Sequence, residues 1–208
     1  MTKAERLEKQ RELLYTMTAH ERTLHAAGRS FIAGVDEVGR GPLAGPVVAA
    51  AVILPADFSI LGVNDSKKLS AKQRDRLFDE IKEAAVCYAL GWRSPERIDE
   101  INILEATKEA MTDAINGLSV KPDHVLIDAV RLSRLDVPQT AIVHGDALSV
   151  SIAAASIIAK VTRDRYMEEM ALKYPGYSFE SNKGYGTKAH YEGLSALGPC
   201  EIHRRTFL

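Results

Sequence analysis

The sequence predicts an α/β fold, a single mixed β-sheet flanked by helices, with an N-terminal helical extension and a C-terminal helical region. Three observations predict it. Two apolar runs, residues 31–35 and 47–54, are joined by a connection too short for a crossover helix, so they should pair antiparallel. Later apolar runs, 86–92, 124–128 and 140–143, are separated by segments of helical character. From residue 147 onward only helical segments and turns follow. A sheet with helices on its faces accounts for this order.

Residues 3–27 are rich in Glu, Lys, Arg, Leu and Ala, and Leu7, Leu14, Met17 and Leu24 share one helical stripe. This is an amphipathic helix or helical pair packed on the main domain. Its charged face, with Lys9, Arg11 and Arg22, is left to solvent rather than assigned to a partner. Pro55 stops the second strand, and Ser70 is placed to cap a helix over 71–85. Gly91 weakens the strand over 86–92, and Ser94-Pro95-Glu96 opens a short helix to Ile101. A longer helix over 104–116 is stopped by Gly117. The segment 147–173 reads as one long helix. Its first half, 152–159, is small, apolar and deeply buried, and its second half, with Arg163, Asp164 and Arg165, is more exposed. A glycine-rich loop over 181–187 and a helix over 188–197 complete the chain.

Composition excludes several classes. The 208 residues are 46% hydrophobic and 26% charged, enough for one domain with a real core. Lys and Arg number 27 against 28 acids, so any nucleic-acid site must come from local clustering rather than net charge. Two distant cysteines, Cys87 and Cys200, make neither a disulfide framework nor a zinc site. No apolar run approaches the roughly 20 residues of a membrane span, and no signal-peptide pattern opens the chain. A cytoplasmic monomer with no membrane association is expected.

Four acids share one property: each stands where an apolar strand meets a loop or a helix. They are Asp36, Glu37, Asp128 and Asp146. Adjacent carboxylates at a strand mouth are costly unless a cation neutralises them, and hard divalent ions prefer such oxygens. Alternatives stand beside this reading. Asp128 could close its strand with an Asx turn, and Asp146 could be the N-cap of the long helix. Around the acids lie candidates for a nucleic-acid strand. Gly39, Arg40 and Gly41 offer close backbone approach and a cation. Ser66, Lys67 and Lys68 offer a hydroxyl and two charges for phosphate oxygens. Lys183 and Tyr185 pair a cation with a stacking ring, with a solvated loop for Lys67-Lys68 and a half-buried packing residue for Tyr185 as the alternatives. His203-Arg204-Arg205 reads as a phosphate contact or a solvated tail. His124 and His144 read as structural.

Several motifs, in order, carry a resemblance. They are Asp36-Glu37-Val38-Gly39-Arg40-Gly41-Pro42-Leu43-Ala44-Gly45-Pro46-Val47, Asp65-Ser66-Lys67-Lys68-Leu69, Gly145-Asp146, the run 152–164, Asn182-Lys183-Gly184-Tyr185-Gly186-Thr187 and His203-Arg204-Arg205-Thr206-Phe207. From about residue 31 onward the chain resembles bacterial type 2 ribonuclease H. The resemblance implies a ribonuclease H-like mixed sheet, with residues 30–208 as the catalytic domain and 1–29 as the extension. It implies a metal-dependent endoribonuclease using Mn²⁺ or Mg²⁺, held by Asp36, Glu37, Asp128 and Asp146. Its partners would be RNA/DNA hybrids and duplex DNA containing single ribonucleotides. The junction-reading loop maps onto Gly39-Arg40-Gly41 and the sugar-stacking ring onto Tyr185. The extension is too short for the separate N-terminal domain of the type 3 enzymes, which carry lysine in place of Arg40. Two rivals follow from the residues: a DNA-cutting nuclease or transposase of the same fold, and a non-catalytic nucleic-acid binder.

Overall fold

The computed structural model describes residues 2–133 and 135–208. Two helices open the chain, α1 (Lys3–Met17) and α2 (Ala19–Ala26). The core follows: β1 (Ile32–Val38), β2 (Val47–Ile53), α3 (Ala71–Ala84), β3 (Cys87–Arg93), α4 (Pro95–Asn116), β4 (His124–Asp128) and β5 (Gln139–Ile142). The C-terminal part comprises α5 (Gly145–Leu148), α6 (Val150–Lys173), α7 (Phe179–Asn182) and α8 (Lys188–Leu197). The strands form one five-stranded sheet in the order β3-β2-β1-β4-β5. β1 pairs antiparallel with β2 and parallel with β4, so the sheet is mixed as predicted.

Two helices cover the two faces. Ala33, Val35, Val47, Ala49, Ala51, Val125 and Ile127 point to one face and pack with Ala106, Ala110, Met111 and Ala114 of α4. Ala50 and Val52 point to the other and pack with Ala153, Ala154, Ile157 and Ile158 of α6. Gly34 sets how close α6 comes. A Cβ there would sit 2.0 Å from the carbonyl carbon of Ser151, so only glycine lets the start of α6 rest on β1. Burying the apolar stripes of α4 and α6 at about 25 cal/mol per Å² is the main force holding these layers.

Local chemistry places the helix ends largely as expected. Ser70 and Gln73 form a capping box on α3, and Ser94 caps α4 with Pro95 in the first position. The expected break within α4 falls at Asn102, whose φ is 69°. Asn102 Oδ1 accepts the N–H groups of Leu104 and Glu105 at 2.9 and 3.1 Å, capping the second half.

Four expectations are corrected. The first strand does not end before the acids: β1 runs through Asp36 and Glu37 to Val38, because β2 still pairs with it there. The long helix is broken at Ser149, whose extended backbone (φ −126°, ψ 126°) and hydroxyl make it the N-cap of α6. Asp146 is therefore not that cap and lies in the separate turn α5. Arg163, expected on an exposed half-helix, is fully buried. In the extension, Met17 is buried and Leu14 and Leu24 are partly buried against the core, but Leu7 is 40% exposed because only the last turns of α1 reach the domain.

Candidate active site

Parallel pairing of β1 and β4 brings the first acids together. Val35 pairs with Ile127, so one residue further on Asp36 stands beside Asp128 at the carboxyl ends of both strands. Successive side chains leave a strand on opposite faces. Asp36, like Gly34, thus faces α6, and Glu37 leaves on the other side of the same edge. Asp146 arrives from α5. The N–H of Gly145 donates to Asp128 Oδ1 at 2.7 Å and ties this turn to β4. Two non-glycine residues with left-handed backbones flank the junction, Ala129 (φ 49°) and His144 (φ 58°). Such conformations cost of order 1–3 kcal/mol and persist where surrounding structure enforces them.

The acids are crowded and poorly solvated. Burial, then the charges of Glu37 and Asp128, push the Asp36 carboxyl well above its ordinary value. Burial also raises Glu37, against the pull of Arg40. Burial, with Asp65 and Asp128, raises Asp146. Two exposed cations face the group: Arg40 Nη1 lies 3.6 Å from Glu37 Oε1, and Lys67 Nζ lies 3.7 Å from Asp146 Oδ2. Partial burial opposes the Lys67 charge, but Asp146, Asp36, Asp65 and Asp128 outweigh it and hold the ammonium above its ordinary value. As the side chains stand, no three His, Cys, Asp or Glu groups among the described residues converge tightly enough to hold an ion. The donor chemistry nevertheless fits a hard divalent cation. It is all oxygen, desolvated and mutually repelling, with more negative charge than Arg40 and Lys67 offset.

The loop between β1 and β2 is built from beneath by two buried arginines, and sequence reasoning missed both. Arg163 donates to the carbonyls of Pro46, Ala44 and Lys183 at 2.9, 3.0 and 2.9 Å. Arg204 donates to Gly45, Arg40 and Gly39. His203-Arg204 is thus neither phosphate contact nor solvated tail: both residues are buried, and only Arg205 is exposed. The two glycines of this loop differ. Gly39 has φ +95°, and a Cβ there would lie 2.3 Å from Arg163 Nε, so packing alone requires it. Gly41 has open space around it, and its nearest neighbour is the Tyr185 ring, 3.7 Å from an added Cβ.

Tyr185 is 42% exposed beside Gly41. Lys183 does not stand free next to it: its ammonium pairs with Glu168 at 2.7 Å and donates to the Glu180 carbonyl. Ser66 is buried, and its hydroxyl oxygen accepts from Ser156 at 2.7 Å. Lys67 stays largely exposed. One further acid belongs to the neighbourhood. Asp65 caps the short 3₁₀ turn Ser66–Lys68 through the Lys67 N–H, and its charge helps to raise Asp146. The only signal for it in the sequence was its place before Ser66-Lys67-Lys68.

The arrangement puts carboxylates at one sheet edge, a rigid loop beside them and an exposed ring next to the loop. The family model described as Ribonuclease HII matches residues 33–208. The chain belongs to the ribonuclease HII family. Ribonuclease HII of Bacillus mycoides strain KBAB4 is 56% identical over 200 residues, covering 96% of this chain and 77% of that one. Among solved structures, ribonuclease H2 from Pyrococcus horikoshii OT3 is 33% identical with a TM-score of 0.69, covering 85% of this chain and 93% of that one. Ribonuclease HII of Archaeoglobus fulgidus, solved in a complex with PCNA, is 30% identical with a TM-score of 0.72, covering 86% and 95%. The ribonuclease H-like sheet and the metal-dependent endoribonuclease activity on RNA/DNA hybrids follow from this membership. No helix among the described residues is long and apolar enough to cross a membrane.

Proposed function

We propose that the chain cuts the RNA strand of hybrids, and duplex DNA at single embedded ribonucleotides, at the edge formed by Asp36, Glu37, Asp128 and Asp146. The observation that carries this is the crowding of those acids, with Asp36 buried beside Glu37 and Asp128. The carboxylates would hold Mn²⁺ or Mg²⁺. A pair of such ions supplies Lewis-acid stabilisation of the attacking and leaving oxygens and makes water a competent nucleophile. The protein's own groups do the rest. Lys67 and Arg40, beside the acids, are placed to meet phosphate oxygens and hold the strand in register. The rigid loop at Gly39-Arg40-Gly41 presents its backbone to the sugar that carries the 2′-hydroxyl, which distinguishes RNA from DNA. The Tyr185 ring stacks on the neighbouring deoxyribose. Products carry 5′-phosphate and 3′-hydroxyl ends. In this reading residues 30–208 are the catalytic domain, residues 1–29 are an appended extension, and the protein works as a cytoplasmic monomer.

The test is a duplex DNA with one ribonucleotide, incubated with Mg²⁺, Mn²⁺ or a chelator. Cutting at the ribonucleotide that stops with chelator is expected. Equal cutting after 2′-deoxy substitution would transfer the assignment to a DNA nuclease.

A further inference from the structure

The extension is tied to the start of α6 through one buried carboxylate. Glu21 of α2 is 6% exposed. Its Oε1 accepts the Ser149 hydroxyl at 2.5 Å and the Ser151 N–H at 3.0 Å. Ser149 caps α6, and its own N–H closes α5 by donating to the Gly145 carbonyl at 2.8 Å. The Gly145 N–H in turn donates to Asp128 Oδ1. An unbroken run of hydrogen bonds therefore leads from Glu21 through Ser149 and Gly145 to Asp128, and Asp146 rides on α5 within it.

Anchoring the extension does not require a carboxylate. Met17, 1% exposed, already packs among Val150, Ala153 and Ala154 of α6. Glu21 Oε2 is buried and finds no hydrogen-bond partner among the described residues, so the carboxylate is desolvated with half its acceptors unused. An apolar side chain would anchor at lower cost. A carboxylate adds a directional hold on Ser149 and a favourable charge at the N-terminus of a long helix. Gly34 fixes the start of α6 from the sheet side and Glu21 holds it from the outside.

We infer that Glu21 is a positioning residue, which sets α5, and with it Asp146, against Asp128 for divalent-metal binding. This rests on the reading of the acids given under the proposed function. Mn²⁺ binding to the full chain without nucleic acid, followed by calorimetry well below the lowest melting temperature, tests it. Glu21→Ala should weaken Mn²⁺ binding about tenfold, the lower end for groups that orient ligands. Its KM for duplex should stay within about twofold, because substrate contacts are untouched. Glu21→Gln keeps the acceptor oxygen and should bind Mn²⁺ nearly as wild type does. Ser149→Ala should reproduce Glu21→Ala, and the double variant should lose no more than either single one. If Glu21→Ala does not fold, Ser149→Ala and Glu21→Gln carry the test.

Met17→Ala, which loosens the extension elsewhere, should lower the melting temperature and leave Mn²⁺ affinity unchanged. Wild-type Mn²⁺ affinity in a folded Glu21→Ala or Ser149→Ala overturns the proposal. So does an equal affinity loss in Met17→Ala. Asp146→Asn separates the two levels. If it too binds Mn²⁺ normally, the acid assignment has failed. If it loses binding while Glu21→Ala does not, only the positioning role has failed.

Discussion

The acid edge and the arginine layer beneath the β1–β2 loop both bury charge, and they do so to opposite ends. At the edge, Asp36 and Asp146 are nearly inaccessible and surrounded by further carboxylates, with partners that leave negative charge uncompensated. In the layer, Arg163 and Arg204 are fully buried, and their donors are taken up by backbone carbonyls of the loop and of Lys183. Burial lowers the two guanidinium pKa values to about 10 and about 9, so both stay charged at neutral pH. Burial of a charge thus does not mark a functional group by itself. What separates the regions is the company each charge keeps. The arginines are met by backbone carbonyls and act as scaffold, while the acids stand among further carboxylates.

The largest effect should come from Asp36→Asn. Cleavage should fall at least about a hundredfold, the scale of losing one group that supports transition-state charge. Metal-free stability should hold or rise. Asp36 titrates higher folded than unfolded, so the stability it contributes is fully present below the unfolded value of roughly 3.9 and is lost as pH rises through the folded value. The Asn variant lacks that decline. Its advantage in melting temperature, measured in chelator, should be greatest near neutral pH and vanish on acidification. A variant that melts below wild type at neutral pH would break the contrast.

Arg204→Ala should do the reverse. It strips donors from the Gly39, Arg40 and Gly45 carbonyls, and at about 1–3 kcal/mol for each buried acceptor the total loss should be about 3 kcal/mol or more. Denaturant unfolding measures it. Arg204→Lys should recover only part, since an ammonium does not reproduce the planar fork. Loss of cleavage at wild-type stability would mean that Arg204 serves the reaction rather than the scaffold.

Tyr185→Ala sharpens the comparison on the substrate side. A stacking ring is worth about 1–3 kcal/mol, so cleavage at an RNA-to-DNA junction should fall about tenfold relative to cleavage within continuous RNA. Tyr185→Phe should keep most of that preference. A fall in melting temperature with an unchanged rate ratio would make the ring a packing residue. Gly41→Ala should give the smallest effect. The added methyl meets only the Tyr185 ring at ordinary contact distance, so stability should stay within about 0.5 kcal/mol while KM for the duplex rises a few fold. A large stability loss would place Gly41 with Gly39 as a glycine required by packing.

Local signals carried much of this protein. Apolar runs, Ser70, Ser94-Pro95 and the break near Asn102 were legible because caps and periodicity act over a few residues. The acids stood out because Asp36-Glu37 is an expensive pair at a buried strand and motifs of a known family surround it. Asp146, for which a helix cap stood as the alternative to a ligand, shows the limit. Cap and ligand use the same residue type, and Ser149, three residues on, took the cap. Arg163, Arg204 and Glu21 were illegible for a different reason. Charged residues in a helical segment or a tail default to solvent, and only contacts with residues distant in the chain, most of them across more than a hundred residues, reveal their partners. The sequence by itself determined most of the elements, the mixed sheet and which acids a strand edge could gather. Tertiary structure alone decided which buried charges meet carbonyls and which meet like charges, because a group's partners are a property of positions in space rather than of neighbours in the chain.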